Sequence, residues 1–293
     1  MSRRGLLLFL SLGLIWGMPY LLIKVAVETV DPMFVVFVRV ALGALVLLPI
    51  VLRNGQWRVL RGHWPWVTAF ALTEITFTFF ALTWAEQSIT SSLAALLIAS
   101  VPIVGAVLAA WFGLDAHWSR RRGIGLATGF LGVAALVGFD VEGSSWLAVA
   151  AVGVTVLGYA LGPVIVEKRL QRVPSLPVIA ASLGINAILY APLAWLTRPT
   201  GDVPAEAWAS MVVLGILCTA VAFVVFFALI GEVGAPRAQV ITYINPAVAV
   251  VLGVVVLAEP ITLGIVIGFP LVLLGSWLAT RGGNAAVEAE PHP

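Results

Sequence analysis

The sequence predicts an all-α integral membrane protein of ten transmembrane helices, built as two inverted five-helix repeats. Three observations carry this. Of the 293 residues, 61% are hydrophobic and 10% charged, with a mean hydropathy of +1.08, whereas soluble domains carry roughly 25% charged residues. The apolar runs last about 17 to 23 residues and do not alternate apolar and polar as barrel strands would, so each suits a spanning helix. Landmarks in the first half also return in the second at nearly constant spacing, and internal duplication is common among membrane transporters.

The repeat is read from residues in order. Pro102 and Asp115 return as Pro246 and Glu259. Phe79-Phe80-Ala81-Leu82 returns unchanged as Phe226-Phe227-Ala228-Leu229. Gly17, Pro49, Gly125 and Gly129 return as Gly158, Pro192, Gly264 and Gly268. The first repeat is placed at 1–141 and the second at 142–281, followed by a tail over 282–293 too polar to pack and expected to be disordered and cytoplasmic.

Span 1 is expected over 6–28. Its start, Ser2-Arg3-Arg4, imitates a secretion signal, but no small-residue cleavage site ends the run, so a retained span is expected. Spans 2 to 5 follow at 33–52, 65–84, 90–113 and 122–139. Spans 6 to 10 follow at 146–166, 176–196, 207–230, 235–257 and 261–280. Asp31-Pro32, Asn54-Gly55, Glu142-Gly143-Ser144, Pro174 to Pro177, Pro199 to Pro204 and Glu259-Pro260 supply the turns between runs. With the N-terminus inside, the inner loops hold nearly all the arginines and lysines. The outer loops hold Arg198 and acids that include Glu28, Glu86, Asp140, Asp202 and Glu259. Ten spans satisfy the positive-inside rule with both termini cytoplasmic, and one span more or fewer would break it. Five spans per repeat is an odd number, so the halves must run in opposite directions, an architecture suited to opening alternately to either side.

These residues resemble the EamA family of the drug/metabolite transporter superfamily over about residues 6 to 280. The features that carry the resemblance are Trp16-Gly17, Arg39, Pro102 with Asp115, Asn245-Pro246 and Glu259-Pro260. The first repeat departs from the family pattern at Asp115, where Glu is more familiar. The resemblance implies a secondary carrier in the cell inner membrane, most often an exporter of amino acids or other small metabolites, with a cavity lined by spans 1, 3, 4, 6, 8 and 9. It names no substrate.

Three ionisable residues remain as candidates away from the loop ends of the spans, where a charge within the membrane costs about 2.5–3.5 kcal/mol on insertion scales. Lys24 and Arg39 lie toward the outer interface, and the default expectation is that their long stems lift the charge into the headgroups, with Glu28 one turn from Lys24 as its partner. Either cation at the outer end of a cavity would also suit a substrate carboxylate. Glu74 sits about ten residues from either end of span 3 and is too short to reach water. It is expected either to line the cavity, meeting an ammonium group or relaying a proton, or to form a neutral hydrogen bond with Thr73, Thr76, Thr78 or a neighbouring span.

Other candidate site residues are aromatic or amide. Trp16 and Tyr20 share a face of span 1 with Pro19 between them, and Tyr159 with Pro163 repeats the arrangement in span 6. Aromatic faces take both apolar side chains and ammonium groups. Phe77 and Thr78 flank the same region of span 3. In span 9, Gln239, Thr242, Tyr243 and Asn245 precede Pro246, whose missing N–H frees the Thr242 carbonyl. Asn186 and Tyr190 in span 7 form a weaker pair, read either as site or as packing hydrogen bond. Trp64, Trp66, Trp84, Trp146, Trp195 and Trp208 read as an interfacial belt. The pairs Gly13/Gly17, Gly125/Gly129, Gly158/Gly162 and Gly264/Gly268 allow close helix approach within the chain or between protomers.

The expected partners are a small amphiphilic substrate and the lipid bilayer, with protons as the candidate coupling ion and no nucleic acid. No cofactor or metal is expected: Cys218 is the single cysteine, and His63, His117 and His292 fall in loops or the tail. No phosphate-binding Gly-rich loop with Lys and no nucleophile–base pair marks an enzyme. A multidrug exporter of cations and, less favoured, a channel remain as alternatives.

Overall fold

The computed structural model describes residues 2–114, 119–140, 146–234 and 238–280, apart from the side chains of Gln239, Val240 and Thr280. Asp115, the 142–144 turn, Arg237 and the tail therefore lie outside the described residues. Every regular element among the described residues is helical. Eight helices are long and apolar enough to cross a membrane. They are α1 (Arg3–Val27), α2 (Pro32–Arg53), α3 (Trp64–Ala85), α4 (Ser91–Trp111), α5 (Arg120–Asp140), α6 (Trp146–Leu170), α7 (Ser175–Leu196) and α8 (Ala205–Val233). Two shorter apolar helices, α9 (Ile241–Val256) and α10 (Leu263–Ala279), occupy the segments expected as spans 9 and 10.

Local chemistry sets several starts. Ser2 Oγ accepts from the Gly5 N–H, Asp31 Oδ1 from the Met33 N–H ahead of Pro32, and Thr90 Oγ1 from the Leu93 N–H, each satisfying an orphan donor of a first turn.

The helices pair across the halves: α1 with α8, α2 with α7, α3 with α6, α4 with α9 and α5 with α10. Exchanging the first five helices for the second five maps this set of pairings onto itself. The tightest of them is a glycine seam. A side chain at Gly132 would meet the Val272 N–H at 2.6 Å and the Gly268 carbonyl at 2.9 Å, and one at Gly275 would overlap the Gly129 backbone. Gly13 and Gly17 likewise receive α9, and Gly158 and Gly162 receive α3. All four glycine pairs are therefore spent on contacts within the chain.

Contacts at the two ends of the bundle agree with alternating helix direction. At one end Ser2 Oγ donates to Glu232 Oε1 at 2.5 Å, with Arg4 3.8 Å from the same carboxylate. The Arg169 guanidinium lies 4.4 Å from the Trp66 ring, the Arg121 guanidinium 4.9 Å from Trp277 and the Lys168 ammonium 5.3 Å from Phe112. At the other end Phe34 meets Trp208 edge-on at 6.1 Å, and Asp140 Oδ1 accepts from the Gly264 N–H at 3.2 Å. Arg4, Arg121 and Arg169 thus each meet the opposite terminus of another helix and Lys168 the same terminus of α4, whereas Arg198 lies with Phe34 and Trp208 at the other end. All six belt tryptophans are exposed.

The turn after α9 carries backbone strain. Ala258 adopts φ 54°, the left-handed region that glycine normally fills after a helix, while the Glu259 N–H closes back on the Gly253 carbonyl at 3.0 Å. Left-handed backbone costs a non-glycine residue about 1–2 kcal/mol. Ala258→Gly should therefore stabilise the detergent-solubilised protein by about 1 kcal/mol, read as a rise in thermal midpoint.

Candidate functional site

Six helices are irregular and four are not. Pro19 opens a new α-segment in α1 at Met18, and Pro102 does the same in α4 after Ala99-Ser100. In α9 a 3-10 turn over Gln239–Tyr243 gives way to α-helix at Asn245-Pro246, where the freed carbonyls were expected. α3 widens to a π-turn over Ala71–Thr76 and α8 over Ile216–Val221, while α6 widens at its far end, over Val166–Leu170, after Pro163. By contrast α2, α5, α7 and α10 run as single α-helices. The irregular helices are those from which the family resemblance builds a cavity. Breaks and π-turns unpair backbone groups and recur at functional positions.

The two mid-helix π-turns recur at matching positions in the two halves, and each is braced by the unbroken helix of the opposite half. In α7, Asn186 Oδ1 accepts from Thr76 Oγ1 at 2.6 Å and its Nδ2 donates to the Ala71 carbonyl at 3.3 Å. One turn on, the Tyr190 hydroxyl donates to the Thr76 carbonyl at 2.7 Å. These bonds satisfy carbonyls of the wide turn, so Asn186 and Tyr190 act as the packing pair of the two readings. In α2, Arg39 Nε donates to Thr219 Oγ1 of the other wide turn at 3.1 Å, with the guanidinium 3.8 Å over the Phe79 ring.

Arg39 is therefore buried, at 6% exposure, and does not snorkel. The expectation failed because partners from α3 and α8, far away in sequence, surround it. Lys24 also departs from expectation: its ammonium donates to the Glu86 and Ile89 carbonyls at 2.7 and 2.9 Å and so ties α1 to the end of α3.

Glu74 lies inside the α3 wide turn against α6. A methyl group at Gly162 would overlap its carboxylate, so Gly162 makes the room that the side chain fills. Its Oε2 is buried and has no hydrogen-bond partner among the described residues. The neighbouring threonines do not supply one. Thr73 donates to the Ala69 carbonyl, Thr76 bonds Asn186, and Thr78 donates to the carbonyl of Glu74 itself at 2.5 Å. Tyr159 of α6 lies beside Thr78 and within electrostatic reach of Glu74, and Tyr20 within reach of Tyr159.

The remaining candidates divide. Trp16 packs on Phe226 at 4.9 Å and Phe223 at 6.1 Å, forming an α1–α8 aromatic cluster that Phe227 completes. Asn245 meets α1 beside Trp16: a side chain at Gly17 would sit 3.2 Å from the Asn245 carbonyl, and Asn245 Oδ1 is buried without a partner among the described residues. Thr242 and Tyr243 are half-buried in the adjoining 3-10 turn. Phe77 is 57% exposed, and Pro163 is exposed one residue beyond Gly162, so neither turns toward the Glu74 carboxylate as Gly162 does. The Gln239 side chain lies outside the described residues. A cleft of about 730 Å³ lies elsewhere, toward the end of the bundle, lined by Phe34, Phe37, Trp195, Arg198 and Trp208. It is an aromatic vestibule at the bundle rim and contains none of the candidate polar residues.

Two acids assigned to loops are buried instead. Glu259, 9% exposed, accepts from the Ser91 and Ser92 N–H groups at 2.7 and 3.0 Å and from Ser92 Oγ at 2.5 Å, capping α4. Glu86 is fully buried, and neither carboxylate oxygen has a partner among the described residues. The Pro-to-acid repeat flagged Glu259, but nothing adjacent in sequence flagged Glu86.

The sequence model of the EamA-like transporter family matches this chain twice, at 3–138 and at 146–281. The chain is 27% identical over 288 residues to the uncharacterized transporter YvbV of Bacillus subtilis, covering 97% of this chain and 94% of that one. It is 26% identical over 281 residues to the uncharacterized inner membrane transporter YedA of Escherichia coli K12, covering 92% and 90%. A probable terminal-alkyne amino-acid exporter of Streptantibioticus cattleyicolor is 29% identical over 206 residues, covering 69% and 65%. A protein of known crystal structure shares the fold at a TM-score of 0.68 and 22% identity, covering 97% of this chain and 99% of that one.

Proposed function

Because the chain belongs to the EamA-like transporter family, a multi-pass membrane protein of that family, we propose that it is a secondary transporter exporting small metabolites, chiefly amino acids, across the inner membrane by alternating access. The observation that carries the reading is that, among the described residues, breaks and wide turns fall in α1, α3, α4, α6, α8 and α9 while four helices stay unbroken, and that one wide turn holds Glu74, whose buried Oε2 has no partner among those residues. Irregular helices at an interface between repeats are where transporters bind substrate and bend. The double family match, the pairing pattern that survives exchange of the halves and the same-side end contacts support ten spans in two inverted repeats with both termini cytoplasmic.

In this reading Trp16, Tyr20, Tyr159, Asn245 and the α9 turn line the path, and Glu74 couples transport to protons. A carboxylate with a buried oxygen that lacks a hydrogen-bond donor offsets the cost of its charge by taking either a proton or an ammonium group. The amino-acid class rests on the amino-acid exporter among the relatives. Export of lipophilic cations is the competing reading, favoured by the same carboxylate beside aromatic faces.

Counterflow in proteoliposomes of the full chain, with amino acids and lipophilic cations compared side by side, tests this. Saturable counterflow is expected, and its absence for every solute would sink the carrier reading. Glu74→Gln is expected to lower transport by about tenfold or more and to flatten its pH profile. Normal transport by this variant at every pH removes Glu74 from the path.

A further inference from the structure

The bundle holds a second set of buried charges, displaced from Glu74 toward the end where α1 and α3 finish. Arg39 spends Nε on Thr219 and one face on Phe79, yet its Nη1 is buried with no partner among the described residues. Glu86 is fully buried just beyond α3, with both carboxylate oxygens unpartnered. The two are close enough to perturb each other electrostatically. Even so, they form no ion pair within 4.0 Å among the described residues.

The neighbouring charges are largely held elsewhere. Lys24 gives two of its three N–H donors to backbone carbonyls, and Glu259 is held by Ser91 and Ser92. Besides the third donor of Lys24, what remains is the Nη1 of Arg39 and both carboxylate oxygens of Glu86, each desolvated, with Tyr20 within electrostatic reach of both residues and Tyr159 within reach of Arg39. Buried charges are stable only when paired. A ligand carrying both signs on adjacent atoms completes both at once.

We propose that Arg39 and Glu86 are the charge-reading end of the substrate site, Arg39 taking the carboxylate and Glu86 the ammonium of a zwitterionic α-amino acid. This rests on the transporter reading and deepens it, leaving Glu74 to proton coupling. The Tyr20 and Tyr159 rings supply aromatic faces for the ammonium or an apolar side chain. Burial pushes Glu86 well above the usual carboxylate range, Lys24 and Arg39 pull it back, and Glu259 pushes it further up. The groups that face it are Lys24 and Tyr20 from α1, Arg39 from α2, and Glu259 from the turn after α9. Protonation of Glu86 would remove the ammonium's partner. Affinity for the zwitterion should thus fall as pH is lowered, with a midpoint above the roughly 4.3 of a free glutamate.

The test is counterflow by the full chain against labelled phenylalanine, with phenethylamine and N-acetylphenylalanine as competitors that each lack one charge. The wild type should prefer the zwitterion to both by at least about tenfold. Glu86→Gln should lose that preference over N-acetylphenylalanine and lose the pH midpoint. Arg39→Gln should lose the preference over phenethylamine. A wild type that carries phenylalanine and its one-charge analogues equally overturns the proposal without any variant, so a misfolded Arg39 variant leaves it falsifiable. Variants that weaken all three ligands in proportion overturn it as well. Failure of the wild type to exchange any solute, lipophilic cations included, overturns instead the transporter reading beneath it.

Discussion

Replacing Gly275 with leucine is expected to destabilise the fold severely enough to aggregate the protein in detergent. Its added Cβ would overlap the N and Cα of Gly129, and the Gly125 carbonyl would lie 2.7 Å away. These are backbone atoms of α5, so no rotamer change relieves the clash and the helices must separate. Separation would also strip the neighbouring contacts of Gly132 with Val272 and Gly268. Overpacking costs typically 1–3 kcal/mol where side chains can yield; a backbone seam yields less, so a loss of about 3 kcal/mol or more is expected, against total stabilities of about 5–15 kcal/mol. Without a hydrophobic drive between helices in lipid, packing at such a seam is a main source of association. Gly105→Leu is the matched control, because nothing lies within 4 Å of a Cβ there. Size-exclusion profiles and thermal midpoints in detergent should show Gly275→Leu aggregated and Gly105→Leu close to wild type. A monodisperse Gly275→Leu protein with an unchanged midpoint would refute the α5–α10 packing.

What was legible in the sequence was local. Proline removes a donor wherever it stands, so the sites at Pro19, Pro102 and Pro246 were visible as candidate breaks, as helix positions were from hydropathy, although Pro49, Pro192 and Pro270 sit inside helices that stay unbroken. The wide turns over Ala71–Thr76 and Ile216–Val221 contain no proline or glycine, and nothing in either stretch announces them. Their braces come from Asn186, Tyr190 and Arg39, each more than a hundred residues from at least one group it contacts. Glu74 was found because a mid-span carboxylate is expensive in any topology. Arg39 was misread because depth along a helix does not reveal what faces it, and Glu86 because an acid beside polar neighbours looks like a loop residue. Burial of a charge is settled by tertiary partners, and those are beyond what one-dimensional patterning reports.

Glu259→Ala should be the most damaging single change outside the glycine seam. The carboxylate joins the turn after α9 to the start of α4 through two backbone N–H groups and a serine hydroxyl, a link between the two halves. Hydrogen bonds to a charged group contribute about 1.5–3 kcal/mol each, and stranding buried donors adds their desolvation cost. A methyl side chain leaves the Ser91 and Ser92 amides facing a vacated space, with the Ser91 hydroxyl already lacking a partner among the described residues. The expected loss is about 2–4 kcal/mol, measured by thermal or denaturant midpoint. Glu259→Gln keeps one acceptor oxygen and the side-chain volume, so it should recover a substantial part of that loss. The strained Ala258 sharpens the comparison, since its left-handed backbone lies immediately before this side chain and the bonds Glu259 makes are expected to help hold the turn against that cost. Removing those bonds should free the turn to relax, so Ala258→Gly should stabilise the Glu259→Ala background less than it stabilises the wild type. Strict additivity of the two changes would mean that the bend does not serve the carboxylate's placement.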